Sequence, residues 1–251
     1  MMSNIKYLII ISTILQYFIH MPLFAKNGNY PVCKEYNFYN NKDSLESKTF
    51  LEKIIEKEPD NVECLLKLAD VYINENKISK GFDLLRRAYE LNPSYVERSK
   101  LSNILDMALK LSRLKERASK ENSFILWNKL GDAYYDLAIF PEAAAAYKRS
   151  LKIDSNQTKI HIYLSICQYN MSLIYSAIDH LKLALKIDPD DFYANYYLAT
   201  VLKNDINDYK RAEQYFKKAW EILQKLGVKG FESEEEYNYY KKALTLELNG
   251  K

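Results

Sequence analysis

Residues 124–157 read FILWNKLGDAYYDLAIFPEAAAAYKRSLKIDSNQ. Two small residues stand out in this stretch, Gly131 and Ala143, and large residues such as Tyr134 and Tyr147 lie beside them. Two helices joined by a short turn can cross closely only where the side chains at the crossing are small. Large neighbours fill the remaining space. The stretch therefore predicts a helical hairpin.

The small residues recur at a fixed period. From Gly131 to Ser165 and from Ser165 to Ala199 the distance is 34 residues, and from Ala69 to Gly131 it is 62, or 34 plus 28. The matching positions of the second helix hold Gly81, Ala143, Ala177 and Ala212, with a slip of one residue in the last unit. Such a period is typical of stacked helical hairpins, which bury their apolar faces only against one another.

The pattern as a whole resembles the tetratricopeptide repeat, a helix–turn–helix unit of 34 residues. The positions that carry the resemblance are Trp127, Leu130, Gly131, Tyr134, Ala143, Tyr147 and Ser150. The matching units are 62–95, 124–157, 158–191 and 192–226. The resemblance implies an all-α, right-handed solenoid of stacked hairpins with helical caps. It also implies a concave groove that holds a peptide or a partner helix.

Other segments depart from the repeat. Residues 96–123 lack the small positions and predict one longer amphipathic helix or a poor hairpin within a solenoid that spans 45–248. Ser233, followed by three glutamates, is typical of a helix start, since a hydroxyl caps the first turn and acids favour the positive end of the dipole. We expect a helix over 233–248 to cover the end of the stack.

The first residues resemble an export signal. Lys6 precedes an apolar stretch, and Ala25 is a plausible cleavage position. We therefore expect a signal peptide over 1–25, a flexible lead over 26–44 and a periplasmic or otherwise exported protein. The alternative is an inner-membrane anchor formed by residues 7–25, the one case in which we expect contact with a membrane.

The net charge limits the kinds of partner that we expect, and the cysteines bear on the cellular compartment. The formal net charge is +3 and falls to +2 without Lys6, so the chain lacks the basic surplus typical of nucleic-acid binding. Cys33 and Cys64 could form a disulfide in an oxidising compartment. We expect Cys167 to be a small buried apolar residue.

No catalytic motif is present in the sequence. His161 and His180 could lie near each other within one unit, but no third ligand or carboxylate is evident, so we expect structural roles for both. A nucleophile elbow, a phosphate loop and a metalloprotease helix are all missing. We predict no catalytic residue, cofactor or metal; a hydrolase or metal protein built on the two histidines is the competing interpretation.

The family resemblance also implies a binding surface, because the exposed face of each first helix lines the groove. On this chain the residues at those positions are Asn128, Asp132, Tyr135, Tyr163, Tyr169, Asn170, Tyr193, Tyr196, Tyr197 and Lys203. Tyrosine suits recognition because it combines a large area with a hydroxyl. The alternative is that some of these rings only pack against the neighbouring repeat. Asn156 lies in an Asn-x-Thr sequence between two units and could be glycosylated.

These observations predict a non-catalytic scaffold or adaptor of the bacterial cell envelope that binds a protein segment in a tyrosine-rich groove. One alternative is a protein that binds cell-wall glycans by stacking tyrosines on sugar rings. Another is a structural component of a large envelope assembly such as a flagellar or secretion machine. The partner's identity and the oligomeric state are not determined by the sequence.

Overall fold

The computed structural model describes residues 44–249, which are helical throughout except for the connecting turns. The first compact unit, 44–120, contains five helices. They are α1 (Ser44–Lys57), α2 (Val62–Asn74), α3 (Ile78–Leu91), α4 (Pro93–Glu97) and α5 (Ser102–Glu121). Its core around α1 and α2 contains Leu51, Ile54, Cys64 and Leu68.

The second compact unit, 121–249, contains seven α-helices. They are α6 (Phe124–Asp136), α7 (Phe140–Ile153), α8 (Thr158–Asn170), α9 (Ile174–Ile187), α10 (Phe192–Asn204), α11 (Tyr209–Leu226) and α12 (Glu234–Asn249), with a 3₁₀ turn at Val228–Gly230 before α12. Successive helices pack as pairs, and each second helix also packs against the first helix of the next pair. The predicted all-α stack of hairpins is confirmed.

The four hairpins share one turn geometry. Their first helices are followed by left-handed residues, Asn76, Ala138, Ser172 and Asn207, with φ between 56° and 60°. In the first three, the next N–H donates to a carbonyl five residues earlier, as in Leu173 N–H to Gln168 O at 2.8 Å. In the fourth, Asp208 N–H donates to Leu202 O, six residues earlier, so the turn absorbs the one-residue slip.

Residues 96–123 do not form a second hairpin of the same kind. The short helix α4 begins with Pro93 at its first turn, where the missing N–H removes no helical hydrogen bond. The long helix α5 follows, and its apolar side buries Leu105, Ala108, Leu111 and Ala118. Residues 102–121 of this segment thus form a single long helix.

A serine hydroxyl caps the first turn of the helix α12. The hydroxyl of Ser233 accepts a hydrogen bond from the backbone N–H of Glu236 at 3.1 Å. The helix buries Tyr240 and Leu244 in a core cluster that also contains Phe192, Leu198 and Phe216. It therefore closes the end of the second unit by packing against α10 and α11.

Candidate functional site

The ten residues predicted to line the groove all lie on α6, α8 and α10, the first helices of three successive hairpins. We refer to this set as the first-helix face. The ring of Tyr163 on α8 connects it to α6, with its centroid 5.1 Å from that of Tyr135. The same ring stacks on Tyr147 of α7 at 5.9 Å. The structure therefore places the α6 and α8 members of the set side by side.

The α6 residues of this face are held by contacts within the chain. Asp132 accepts a hydrogen bond from the hydroxyl of Tyr147 at 2.8 Å. The amide nitrogen of Asn128 donates to Gln157 Oε1 at 2.7 Å, whereas its buried Oδ1 has no hydrogen-bond partner among the described residues. Tyr135 is only 9% exposed and packs between Phe140 and Tyr163. The expectation that Tyr135 lines an open groove is therefore wrong.

The α10 tyrosines contact the terminal helix. Tyr193 donates its hydroxyl hydrogen to Glu236 Oε1 at 2.9 Å, and the hydroxyls of Tyr197 and Tyr240 are 3.2 Å apart. The ring of Tyr196 meets the ring of Tyr240 edge-on at 4.9 Å. Burial is the main reason why the pKa of Tyr193 and the pKa of Tyr196 are raised.

Lys203 completes this contact through an ion pair with Glu247 of α12. The expected open groove is thus corrected along α10, where Tyr193, Tyr196, Tyr197 and Lys203 are half-buried against α12. Their partners follow 43 or 44 residues later in the chain, a spacing unrelated to the repeat. Periodicity therefore could not reveal this contact.

The part of the face that remains open lies on α8. Tyr169 is 40% exposed, and Asn170 beside it is exposed. Burial and a hydrogen bond to Asp205 raise the pKa of the Tyr169 hydroxyl. Ile166 and Tyr163 are half-buried, one turn and two turns before Tyr169. We call Tyr163, Ile166, Tyr169 and Asn170 the α8 strip. Its Tyr169 and Asn170 are exposed, whereas Ile166 packs partly against the core.

Sequence reasoning missed two features close to this strip. Glu232, which precedes α12, raises the pKa of the Tyr163 hydroxyl and so lies within electrostatic reach of α8. The turn after α8 exposes Met171 and Leu173, and the first turn of α9 exposes Tyr175 to 76%. The turn could have been recognised as an unusually apolar sequence between two helices, whereas the position of Glu232 has no signal in the sequence.

The two histidines meet, as the sequence suggested they could. His161 Nδ1 and His180 Nδ1 are 2.9 Å apart, and His161 Nε2 is 3.2 Å from the carbonyl oxygen of Ser155. A carbonyl only accepts, so Nε2 of His161 donates and its Nδ1 accepts from His180. Burial lowers the pKa of His161, and burial together with His161 and Lys148 lowers the pKa of His180 to about 4. Both rings are therefore neutral at pH 7.

Neither a metal cluster nor a membrane helix is found within residues 44–249. This part of the chain brings together no group of three or more His, Cys, Asp or Glu residues that could hold a metal ion. Over the same residues, the helices are too short or too polar to span a bilayer. The predicted signal peptide and lead, residues 1–25 and 26–44, lie outside the described residues apart from Ser44.

The remaining candidate residues occupy different places. Cys64 is fully buried on α2 and disulfide-bonded, whereas Cys33 lies outside the described residues, so the pairing of these two stays a prediction. Cys167 is free and buried, and burial raises the pKa of its thiol to about 12.

Asn156 is exposed in the turn between α7 and α8, where its N–H donates to Asp154 Oδ1 at 2.9 Å. Its glycosylation stays a prediction.

Comparison with known proteins gives one family and several distant likenesses. Residues 62–95 match the family described as tetratricopeptide repeat. The BBSome complex member bbs-4 of Caenorhabditis elegans is 26% identical over 172 residues, which cover 66% of this chain and 37% of that protein. The chain therefore spans little more than a third of this relative's length.

Two solved structures are similar to this chain at a distance. MamA is 19% identical with a TM-score of 0.40, covering 71% of this chain and 87% of MamA. YrrB, described as a TPR protein with an unusual peptide-binding site, is 18% identical with a TM-score of 0.40, covering 68% of this chain and 91% of YrrB.

The matched residues 62–95 coincide with the α2–α3 hairpin. The other three hairpins repeat its 13-residue first helix and its left-handed turn residue. The small residues Ala69, Gly131, Ser165 and Ala199 are buried at the same position in each first helix. Residues 62–95 therefore match one tetratricopeptide repeat, and the other three hairpins share the length of its first helix and its left-handed turn residue.

Proposed function

We propose that this protein is a non-catalytic scaffold that binds a segment of a partner protein along the α8 strip. The observation that carries the proposal is the exposure of two residues of this strip, Tyr169 and Asn170. Tyr169 remains 40% exposed and Asn170 is exposed, while the tyrosines of α10 are covered by α12. Half-exposed tyrosine beside an apolar residue such as Ile166 is typical of binding surfaces.

Site-specific photo-crosslinking in intact cells tests this proposal. A photoreactive residue at Tyr169 is expected to give one or a few discrete protein adducts. The matched control is Leu183 on α9, a second-helix residue that is 42% exposed. Equal adducts at both positions, or none at Tyr169, would contradict the α8 strip as the binding surface. Labelling of glycan alone would favour the cell-wall interpretation.

We further propose that the protein is exported to the bacterial cell envelope. The pattern of Lys6, the apolar stretch and Ala25 supports this location. The disulfide-bonded state of Cys64 also supports it, since disulfides persist in oxidising compartments. N-terminal sequencing of the protein purified from its native cells tests the location: a mature chain beginning at Lys26 is expected, and a chain that retains Lys6 in the cytoplasmic fraction would contradict export.

A further inference from the structure

The cysteines of this chain leave a single partner for the disulfide at Cys64. The sequence contains three cysteines, Cys33, Cys64 and Cys167. Cys167 is free and buried on α8, whereas Cys64 of α2 is disulfide-bonded. Within one chain, this leaves Cys33 as the sulfur available to Cys64. Cys33 belongs to the part of the chain that precedes α1, so the bond concerns how that part is attached to the first unit.

Cys64 lies beside a shallow groove between α1 and α2. Cys64, Leu68 and Tyr72 follow one another at intervals of four residues, so they form one stripe along α2. Cys64 and Leu68 also belong to the same core cluster. The groove has a volume of about 320 Å³ and is lined by five residues of the two helices: Glu52, Ile55, Glu56, Leu68 and Tyr72. An apolar segment that enters at Cys64 can therefore follow this stripe.

A bond between Cys33 and Cys64 would place the two ends of the intervening segment at opposite ends of this groove. Ser44 is the first residue of α1, and one turn later the Nζ of Lys48 lies 5.0 Å from the centre of the Tyr72 ring. From Cys64 to Tyr72 the helix rises by about 12 Å. The chain from residue 33 to residue 44 reaches about 40 Å when fully extended. The segment is thus long enough to run along the whole groove.

We propose that Cys33 pairs with Cys64 and that residues 34–43 of the same chain occupy the groove between α1 and α2. This segment reads KEYNFYNNKD and contains three aromatic residues. Aromatic rings bury a large apolar area, which suits walls formed by Ile55 and Leu68. The segment then covers the outer side of the first unit as a covalently fixed cap. The inference concerns the first unit and does not depend on the α8 strip.

The chemistry of the bond is a two-electron oxidation. Joining the Sγ atoms of Cys33 and Cys64 releases two protons and two electrons. The disulfide of an oxidised dithiol protein accepts them by thiol–disulfide exchange and is itself reduced to two thiols. The cross-link closes a loop between positions 33 and 64, and such a loop lowers the conformational entropy of the unfolded chain. The oxidised first unit should therefore be more stable than the reduced one.

Peptide mapping of the protein, purified from its native cells without reductant, tests the connectivity. Free thiols are alkylated under denaturing conditions, and tryptic peptides are compared by mass spectrometry before and after reduction. We expect peptide 27–34 linked to peptide 58–67, and alkylation at Cys167 alone. Alkylated thiols at both Cys33 and Cys64, a bond to Cys167, or a bond between the Cys64 residues of two chains would overturn the inference.

A matched pair of variants connects the bond to stability. Reduction should lower the midpoint of thermal unfolding of the unmodified protein by roughly 10 °C. Cys33→Ala should unfold at the same midpoint with and without reductant. The control Cys167→Ala removes a free cysteine and should keep the full difference between the oxidised and reduced forms. A difference that persists in Cys33→Ala would contradict the assigned bond.

Photo-crosslinking within the oxidised protein tests the occupant of the groove. A photoreactive residue at Glu56, which is exposed at the edge of the groove, should form adducts with residues 34–43, and reduction should lower their yield. The matched control is Asn103, an exposed residue of α5, where we expect no such adduct. Equal yields at the two positions, or none at Glu56, would overturn the groove as the docking site. These outcomes leave the proposed function standing, because it depends on adducts at Tyr169.

Discussion

Gly131 shows how one side chain limits a helix crossing. A Cβ atom at this position would lie within van der Waals overlap of Cε1 of Tyr147, whose ring is fully buried. The equivalent pairs in the other units are Ala69 with Leu85, Ser165 with Leu181 and Ala199 with Phe216. Gly131, the smallest residue of the series, thus faces Tyr147, whose hydroxyl also donates a hydrogen bond to Asp132. Small and large residues have to change together at this crossing.

Gly131→Ala is therefore expected to destabilise the protein by about 1–3 kcal/mol, the usual cost of overpacking, despite the higher helix propensity of alanine. The double variant Gly131→Ala with Tyr147→Leu reproduces the small–large pairing of residues 62–95. It should lose less stability than the sum of the two single variants. Denaturant unfolding of all four proteins measures this coupling, and strictly additive losses would show that the two residues do not share one packing site.

Ala138 is strained by its backbone rather than by its neighbours. Its φ of 56° lies in the left-handed region, which costs an alanine about 1 kcal/mol relative to glycine. Ala138→Gly should raise the free energy of unfolding by about 0.5–1 kcal/mol, whereas Ala133→Gly within α6 should lower it by about 1 kcal/mol. Thermal unfolding distinguishes the two, and destabilisation by Ala138→Gly would mean that the methyl group makes a packing contact.

At the scale of elements, the His161–His180 pair ties α8 and α9 to the turn that precedes α8. The pair requires both rings to be neutral or one proton to be shared, because two protonated rings would place N–H against N–H. The folded pKa of His180, about 4, lies below its ordinary value of 6.5. Between these values the unfolded chain binds more protons than the folded chain, so acidification favours unfolding.

The free energy of unfolding should thus be constant near pH 7 and fall as the pH drops through 6.5 toward about 4. His180→Asn retains a donor near the position of Nδ1 and does not titrate in this range. The variant should show a shallower fall between about pH 7 and pH 5 in denaturant titrations. A fall as steep as that of the unmodified protein would indicate that other groups cause the acid sensitivity.

The terminal helix α12 lies outside the 34-residue repeat and contributes to the core of the second unit. It packs as a single helix against the last hairpin, α10 and α11. Its Tyr240 is 4% exposed and lies 4.9 Å from the rings of both Phe192 and Tyr196. The same rings that resemble a binding surface in the sequence thus form part of the core of this end of the second unit.

At the scale of the whole molecule, the chain forms two compact units, 44–120 and 121–249. In stacked repeats each hairpin contacts only its neighbours, so the effect of a local change fades with distance along the stack. Tyr240→Ala should destabilise the unit 121–249 by about 3 kcal/mol, as expected for a large buried ring. Tyr175→Ala, at a residue that is 76% exposed, should change stability by no more than about 0.5 kcal/mol.

Amide hydrogen exchange resolves where the destabilisation occurs. In Tyr240→Ala we expect faster exchange in α10, α11 and α12, a smaller increase in α8, and unchanged exchange over 44–120. Uniformly faster exchange over both units would show that the chain unfolds as one cooperative body. The result also bears on binding, because a loosened α12 would uncover the tyrosines of α10.

The sequence by itself determined the hairpins, their number of clear units and the face on which the tyrosines lie. These properties follow from small residues at crossings such as Gly131 and from helical periodicity, and both act between residues close in the chain. It also suggested the meeting of His161 and His180, which belong to one hairpin. Only the tertiary structure decided that Tyr135 is buried, that Tyr193, Tyr196 and Tyr197 pack against α12, and that Tyr169 remains exposed. The physical reason is that α12 reaches α10 from 43 residues further along the chain, a distance that no repeat period encodes.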